Sequence, residues 1–473
     1  MKSSFKNFFS GFAFIFSLLT YCENPDEVWA RNYLMQFPKI RILIEGAAGH
    51  GHASTNITLL KKIRQLGYTG QIQIVAEKLT RSSLKQMIPE LADIASNTTR
   101  AEIKGASPNL NDEIRFVNSI HELPADIEMT KFTIMGASDY IGRRNRAAPD
   151  LKTQSLIVIN PPGWDNAVVQ YEGRSIVLNF SKNWPLTIPL EEVSNAEEFL
   201  KSKLQTPELA SKIDGLLALV DPNNKFETLM SYNNVGRKYH FEDIIYGYRQ
   251  AVAVEPDKFK GPLVIGLLSD SIDHFGYFKA MAQSLPLATP PTKIEAFSIS
   301  DSQLKTALDS MDKNDVIFVN IGNLPQEAFR WVLGQGTLPA LVTGANSTND
   351  LRAMGKTYIS TSIIGHRWPS KISLASRYRI LRLKNWDNLS GISDASAKKF
   401  FLATRDPNSS IVRDYAREAE QFNPKNDRFI RTLKAFDRHK NEVEKKDLKL
   451  SKFRPLSSVM GLCERLLYLL IQH

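Results

Sequence analysis

The stretch from Leu338 to Ile359, LPALVTGANSTNDLRAMGKTYI, restricts the fold of this chain more than any other. It opens on an apolar run, Leu338 to Val342, with the length of a fully buried strand. A turn of small polar residues follows: Thr343, Gly344, Ala345, Asn346, Ser347 and Thr348. Asn349 to Met354 then sets apolar residues at helical spacing, and Gly355 supplies a C-terminal stop. Tyr358 to Ser360 begins another strand. Strand, small loop, helix and strand make an α/β repeat, in which the N–H groups of a helix N-terminus face an anion. Small side chains in the turn let a phosphate approach the backbone. Asp350, about one turn into the helix, is placed to accept hydrogen bonds from a ribose diol.

A second βαβ signature lies near the N-terminus. Ile40 to Ile44 (IRILI) is predicted as a strand that runs into a Gly-rich loop, Glu45 to Ser54. Ile57, Leu59, Leu60 and Ile63 predict an amphipathic helix ending at Gly67, and Gln71 to Val75 a second strand. The loop lacks the G-x-G-x-x-G spacing of dinucleotide sites but holds two of the eight histidines, His50 and His52. A neutral imidazole there can take the proton of an acceptor hydroxyl, or simply bond donor or acceptor. Strands at Phe132–Met135 and Leu156–Asn160 end in the loops Gly136–Tyr140 and Pro161–Asp165. Ligands of open α/β sheets gather at such strand ends. Asp139 is therefore a second general-base candidate, unless it caps a helix. Arg143, Arg144 and Arg146 either hold an anionic acceptor or face water.

The chain has 473 residues, which is more than one ordinary domain, and 42% hydrophobic content suits real cores. Net charge is +10, and it sits at one end: from Arg367 onward there are 23 Lys and Arg against 12 Asp and Glu. An acidic membrane surface, an anionic substrate or a solvated helical face each account for that excess. No aromatic-plus-basic motif of an RNA-binding module is present, and no nucleic-acid partner is expected. The two cysteines, Cys22 and Cys463, lie at opposite ends and form no disulfide framework. Asp-x-Asp, P-loop, H-E-x-x-H, G-x-S-x-G and C-x-x-C motifs are absent, so neither metal nor cofactor is expected.

Lys2 and Lys6 precede an apolar run from Phe8 to Leu19, which is short for a membrane span. Residues 1–22 are read as a membrane-associating or signal-like segment. Residues 38–180 are expected as a first Rossmann-like lobe, 181–260 as an insertion and linker, and 261–405 as a second lobe. That second lobe has strands at Pro262–Leu268, Ile294–Ile299 and Val316–Val319. Residues 406–473 are expected as a basic helical tail that packs on the protein or lies on a membrane.

The loop from Thr343 to Asp350 resembles that of the two-lobe GT-B nucleotide-sugar glycosyltransferases. The likeness is greatest to the bacterial transferase that adds N-acetylglucosamine to the peptidoglycan lipid precursor and to the galactolipid synthases of plants. Leu324 to Phe329 resembles the Pro-Gln-x-x-Leu segment upstream of that loop, and Gly49 to His52 the family's first loop, where glycines precede a His. His52 matches best, with His50 the alternative. Two departures stand out: Asp350 where Glu is usual, and Thr357 where Pro is usual. The resemblance implies an α/β GT-B fold, with two Rossmann-like lobes facing a cleft and a helical C-terminal extension. It implies a nucleotide-sugar donor with Ser269 near the phosphates, Ile321 and Gly322 beside the base, and Thr343 to Thr348 under the diphosphate. Asp350 would hold ribose, and His52, His50 or Asp139 would act as base, without metal. The acceptor (lipid, glycan or protein) stays open. The nucleotide-sugar supply places such an enzyme in the cytoplasm or on the cytoplasmic face of a membrane, with export the alternative. A nucleotide-sugar epimerase of the same fold and an inactive donor-binding protein are the rival readings.

Overall fold

The computed structural model describes residues 24–46, 51–88, 98–101, 112–137, 151–160, 166–179, 186, 192–232, 239–268, 293–342, 345–360, 394–421 and 427–447. The apolar N-terminal run, residues 8–19, lies outside them. Among the described residues no helix is long and apolar enough to cross a membrane.

Helix α1 (Pro25–Leu34) starts at Asn24, whose side chain accepts from the Asp26 N–H at 3.0 Å. The chain continues through β1 (Lys39–Ile44), α2 (Gly51–Gln65), β2 (Gln71–Glu77), β3 (Thr98–Ala101), β4 (Asp112–Val117), β5 (Thr133–Gly136), β6 (Ser155–Ile159), β7 (Asn166–Tyr171) and β8 (Arg174–Asn179). These strands form one sheet in the order β3-β4-β2-β1-β5-β6-β7-β8. The five from β4 to β6 are parallel, and β3, β7 and β8 run antiparallel to their neighbours. Alternation along β1 sends Ile40, Ile42 and Ile44 into a core with α1 and α2, and Leu43 into a smaller core on the other face. Arg41 is fully buried in that strand. Its Nε donates to Gln73 Oε1 at 2.7 Å and its terminal nitrogens to the carbonyls of Lys152 and Glu128. Burial brings its pKa down to about 10.

The second half contains α3 (Ala196–Lys203), α4 (Ile213–Val220), β9 (Glu227–Tyr232), α5 (Tyr239–Val254), β10 (Leu263–Leu267), β11 (Ile294–Ser298), β12 (Val316–Asn320), α6 (Gln326–Leu333), β13 (Ala340–Val342), α7 (Ala345–Ala353), β14 (Tyr358–Ser360), α8 (Asp394–Thr404), α9 (Ser410–Gln421) and α10 (428–447). Its six strands are all parallel, in the order β11-β12-β10-β9-β13-β14. Renumbered within its own sheet, each set of first six strands runs 3-4-2-1-5-6. Chain direction across the sheet therefore reverses between β1 and β5, and again between β9 and β13. In open α/β sheets such reversals open a crevice at the strand C-terminal ends. The fold is thus Rossmann-like α/β with parallel-rich sheets.

Two expectations need correction, and two features were not foreseen. The stretch 181–260 is not only a linker: it supplies β9, a central strand of the second sheet, and α5, which packs against α8. Glu227, Thr228 and Ser231 make β9 look like a loop in sequence, yet all three are buried. Arg405 meets Glu227 at 2.7 Å, which compensates the buried carboxylate. How deeply the tail enters the core was not foreseen. Asp427 caps α10 by accepting from the N–H groups of Phe429 and Ile430, and Phe429, Leu433 and Phe436 enter the core of the first sheet. The hairpin β7–β8 was not expected; it turns at Glu172 and Gly173, φ 48° and 78°, the left-handed pair a two-residue turn requires. Finally, α7 begins at Ala345, so Ala345 to Thr348 belong to the first turn of the helix and not to the loop. Small polar side chains suit either place.

The two halves meet along α2. Lys61 on α2 and Lys203 on α3 both reach Glu327 of α6, at 2.9 and 2.7 Å. Burial pushes the Glu327 carboxyl up, but the two ammonium groups outweigh it and hold its pKa at about 2, below the ordinary 4.5.

Two outcomes follow from this architecture. Phe436 packs its ring 5.4 Å from Phe132 and 6.3 Å from Tyr171, and it is fully buried. Phe436→Ala should cost about 3–5 kcal/mol in urea denaturation; an unchanged midpoint would mean that α10 is not part of this core. Because the folded pKa of Glu327 lies below its unfolded value, its pairing is in force above about pH 4.5 and fades as pH falls towards about 2. Glu327→Gln should lower stability at pH 7 by up to about 1 kcal/mol, as partly exposed pairs do. That deficit should shrink below pH 4.5, and a deficit independent of pH contradicts the pairing.

Candidate functional site

In the first sheet the site forms where β1 and β5 end. Glu77, at the end of β2, accepts from the Gly46 N–H at 2.7 Å and from the Ile120 N–H at 3.0 Å, which fixes the start of the Gly-rich loop. Beside it, His121 Nε2 lies 3.4 Å from Glu45 Oε1. Residues 47–50, including His50, lie outside the described residues. His52 follows as the second residue of α2 and is half-buried. Its Nδ1 is enclosed and has no hydrogen-bond partner among the described residues.

One turn further along α2, Asn56 joins helix to sheet. Its Nδ2 donates to the His52 carbonyl at 2.9 Å and to the Gly136 carbonyl at 2.6 Å, while its Oδ1 accepts from the Gly136 N–H at 2.8 Å. Gly136 closes β5, and the helix lies directly on it. A Cβ there would come within 2.7 Å of Leu59 and 2.9 Å of Thr55, so only glycine admits this approach. Ala137 comes next at φ 55°, a left-handed backbone that costs a residue with a Cβ about 1–2 kcal/mol. Asp139, on the loop beyond, lies outside the described residues.

In the second sheet the site forms where β13 and β12 end. Thr343 and Gly344 lie outside the described residues, as does Ser269. Ala345 opens α7, and Asn346 Nδ2 donates to Thr55 Oγ1 of α2 at 3.0 Å. Ser347, Thr348 and Asn349 are buried, and Asn349 Nδ2 has no hydrogen-bond partner among the described residues. Asp350 is buried too. Its Oδ1 meets Arg330 Nε of α6 at 2.9 Å, which ties α6 to α7; burial pushes its carboxyl up against the pull of that guanidinium. The Ile321 and Gly322 N–H groups both donate to the Leu267 carbonyl, with Gly322 at φ 68°. Lys212 Nζ donates to the Ile321 and Asn323 carbonyls, at 3.0 Å each. Gln326 Nε2 reaches Thr58 Oγ1 of α2 at 3.0 Å.

The structure therefore brings His52, the end of β5 and the first turn of α7 together around Thr55 and Asn56. Ile321 and Gly322 sit at the same edge of the second sheet through β10. Chemically, the arrangement pairs an imidazole on one helix N-terminus with the N–H groups of another, which is suited to an anion. Asn56, Thr55, Glu327 and the Glu45–His121 pair were missed in sequence, where nothing distinguishes them from ordinary helix and loop residues. Among the described residues no cluster of His, Cys, Asp and Glu suits a metal ion.

No family model matches the chain, and no curated protein matches it. Among solved structures, the trehalose-6-phosphate phosphatase N-terminal domain of Candida albicans aligns at 9% identity and a TM-score of 0.33, over 84% of this chain and 97% of that one. An alpha,alpha-trehalose 6-phosphate synthase from Burkholderia multivorans aligns at 8% identity and a TM-score of 0.24, over 84% of this chain and 76% of that one. Likeness of that degree assigns no family.

Proposed function

We propose that the chain is a metal-independent glycosyltransferase of the two-lobe GT-B kind, with the two sheets facing each other across the α2–α7 contact. It moves a sugar from a nucleotide-diphosphate donor to an acceptor hydroxyl. The observation that carries this reading is the hydrogen bond from Asn346 to Thr55, which joins the first turn of α7 to the second turn of α2. Each helix follows a parallel strand beside the reversal point of its own sheet, the position where α/β sheets bind ligands.

In this reading the diphosphate rests on the N-terminal N–H groups of α7, the stretch from Thr343 to Thr348, and Ser269 reaches the phosphates. Ile321 and Gly322 border the base. Asp350, held by Arg330 through one oxygen, offers the other to ribose. The acceptor oxygen attacks the anomeric carbon, the bond from that carbon to the diphosphate breaks, and the leaving diphosphate carries away the electron pair. His52 takes the acceptor proton, with His50 and Asp139 as the alternatives. The helix N-terminus stabilises the charge that grows on the diphosphate, the part of the reaction where fixed dipoles contribute most.

A thermal-shift screen of uridine and guanosine diphosphate sugars, followed by turnover assays, tests the proposal. At least one donor should raise the melting temperature and be slowly hydrolysed without acceptor, and EDTA should change neither result. His52→Ala should leave donor affinity within about twofold and lower turnover by about a hundredfold or more. Donor binding with isomerised sugar as product would point to the epimerase instead. If no nucleotide sugar binds, the proposal fails.

A further inference from the structure

Asn56 is an unusual choice for its place. Asparagine is disfavoured inside a helix relative to Leu or Ala, and at 1% exposed its carboxamide is buried. A leucine would hold α2 on the sheet by burial alone. What the amide adds is direction. It bonds both the N–H and the carbonyl of Gly136, as a neighbouring strand does, and with the same Nδ2 it bonds the His52 carbonyl one turn back. Immediately beyond Gly136 the backbone is strained at Ala137, whose N–H is held by the Ile159 carbonyl at 3.1 Å. Strained residues persist only where their surroundings over-determine them, and such residues cluster at functional sites. Here the surroundings are Asn56 on one side and β6 on the other.

We infer that Asn56 is a positioning residue: it locks the first turn of α2, and with it His52, to the strained turn at Ala137, so that both face one acceptor hydroxyl. This rests on the glycosyltransferase reading. Transfer demands that a base and the attacking oxygen meet within hydrogen-bond reach, and misplacement by about 1 Å costs on the order of a hundredfold in rate. Among the described residues His52 Nδ1 has no hydrogen-bond partner, while the His52 carbonyl accepts from the Asn56 amide. The first turn of α7, where the proposed donor rests, meets α2 at Thr55, whereas the Asn56 amide is turned to Gly136 and His52. Loss of the Asn56 amide should therefore spare donor binding and damage the chemical step.

The test compares wild type with Asn56→Ser, Asn56→Gln and Ala137→Gly, using the panel of uridine and guanosine diphosphate sugars. Asn56→Ser should lower kcat by about thirtyfold or more while KM for the donor stays within about twofold, and Asn56→Gln should recover part of the loss. Ala137→Gly relieves strain and is expected to fold even if the Asn56 variants do not. It should lower kcat by about three- to tenfold, with no fall in melting temperature. A residue that only anchors the helix would lower melting temperature and active fraction in proportion, with kcat per folded molecule unchanged. That result, or an unchanged kcat in Ala137→Gly, overturns the positioning role while leaving the glycosyltransferase reading in place. If wild type neither binds nor consumes any of the donors, that reading fails and the positioning role falls with it.

Discussion

One helix, α2, is packed on two sides, and the relation between the sheets depends on it. Its apolar face, with Ile57, Leu60 and Ile63, is sealed into the first sheet. Its polar stripe of Thr55, Thr58 and Lys61, spaced by three, meets Asn346, Gln326 and Glu327 from the second. These two attachments differ in kind. Burying three aliphatic side chains contributes about 1.5–3 kcal/mol each. The hydrogen bonds across the joint contribute only about 0.5–1.5 kcal/mol each, and the ion pairs less than that where water reaches them. α2 is thus held more firmly by the first sheet than by the second.

Some of the fold's local costs fall in the same region. His52 Nδ1 and Asn349 Nδ2 are enclosed without hydrogen-bond partners among the described residues, and Ala137 adopts a left-handed backbone. Each unsatisfied group costs about 1–3 kcal/mol in general. By contrast, the fully buried Arg41 is met at three of its nitrogens. Strand C-terminal ends beside helix N-termini are where α/β sheets bind ligands, and a ligand bound there would meet such groups.

Much of the sheet framework was legible because its strands are apolar runs. Ile40–Ile44 reads as a strand and matches β1 to within one residue, and Pro262–Leu268 contains β10. The hidden elements are those whose buried face is partly polar or whose exposed face is heavily charged. β9 was invisible because Glu227, Thr228 and Ser231 sit on it, and Arg405, which pairs with Glu227, is far away in sequence. The depth of α10 in the core was not legible because Lys434, Arg438 and Lys440 outweigh Phe429, Leu433 and Phe436 to the eye, although those three stand at helical spacing. Of the site, the histidine-bearing helix start and the small polar turn were legible from their residue types. Asn56 and Thr55 were not, since their meaning lies in Gly136 and Asn346, partners 80 and 291 residues away.

The central claim is that the N-terminal turns of α2 and α7 together form one ligand site. A crystal structure of the protein with a nucleotide sugar that it binds tests this most directly. The account predicts the diphosphate against the first turn of α7 and the anomeric carbon on the side of His52, with the Asn346–Thr55 contact intact. Density for the ligand away from both helix N-termini, or at α7 with His52 turned away across open solvent, would contradict it.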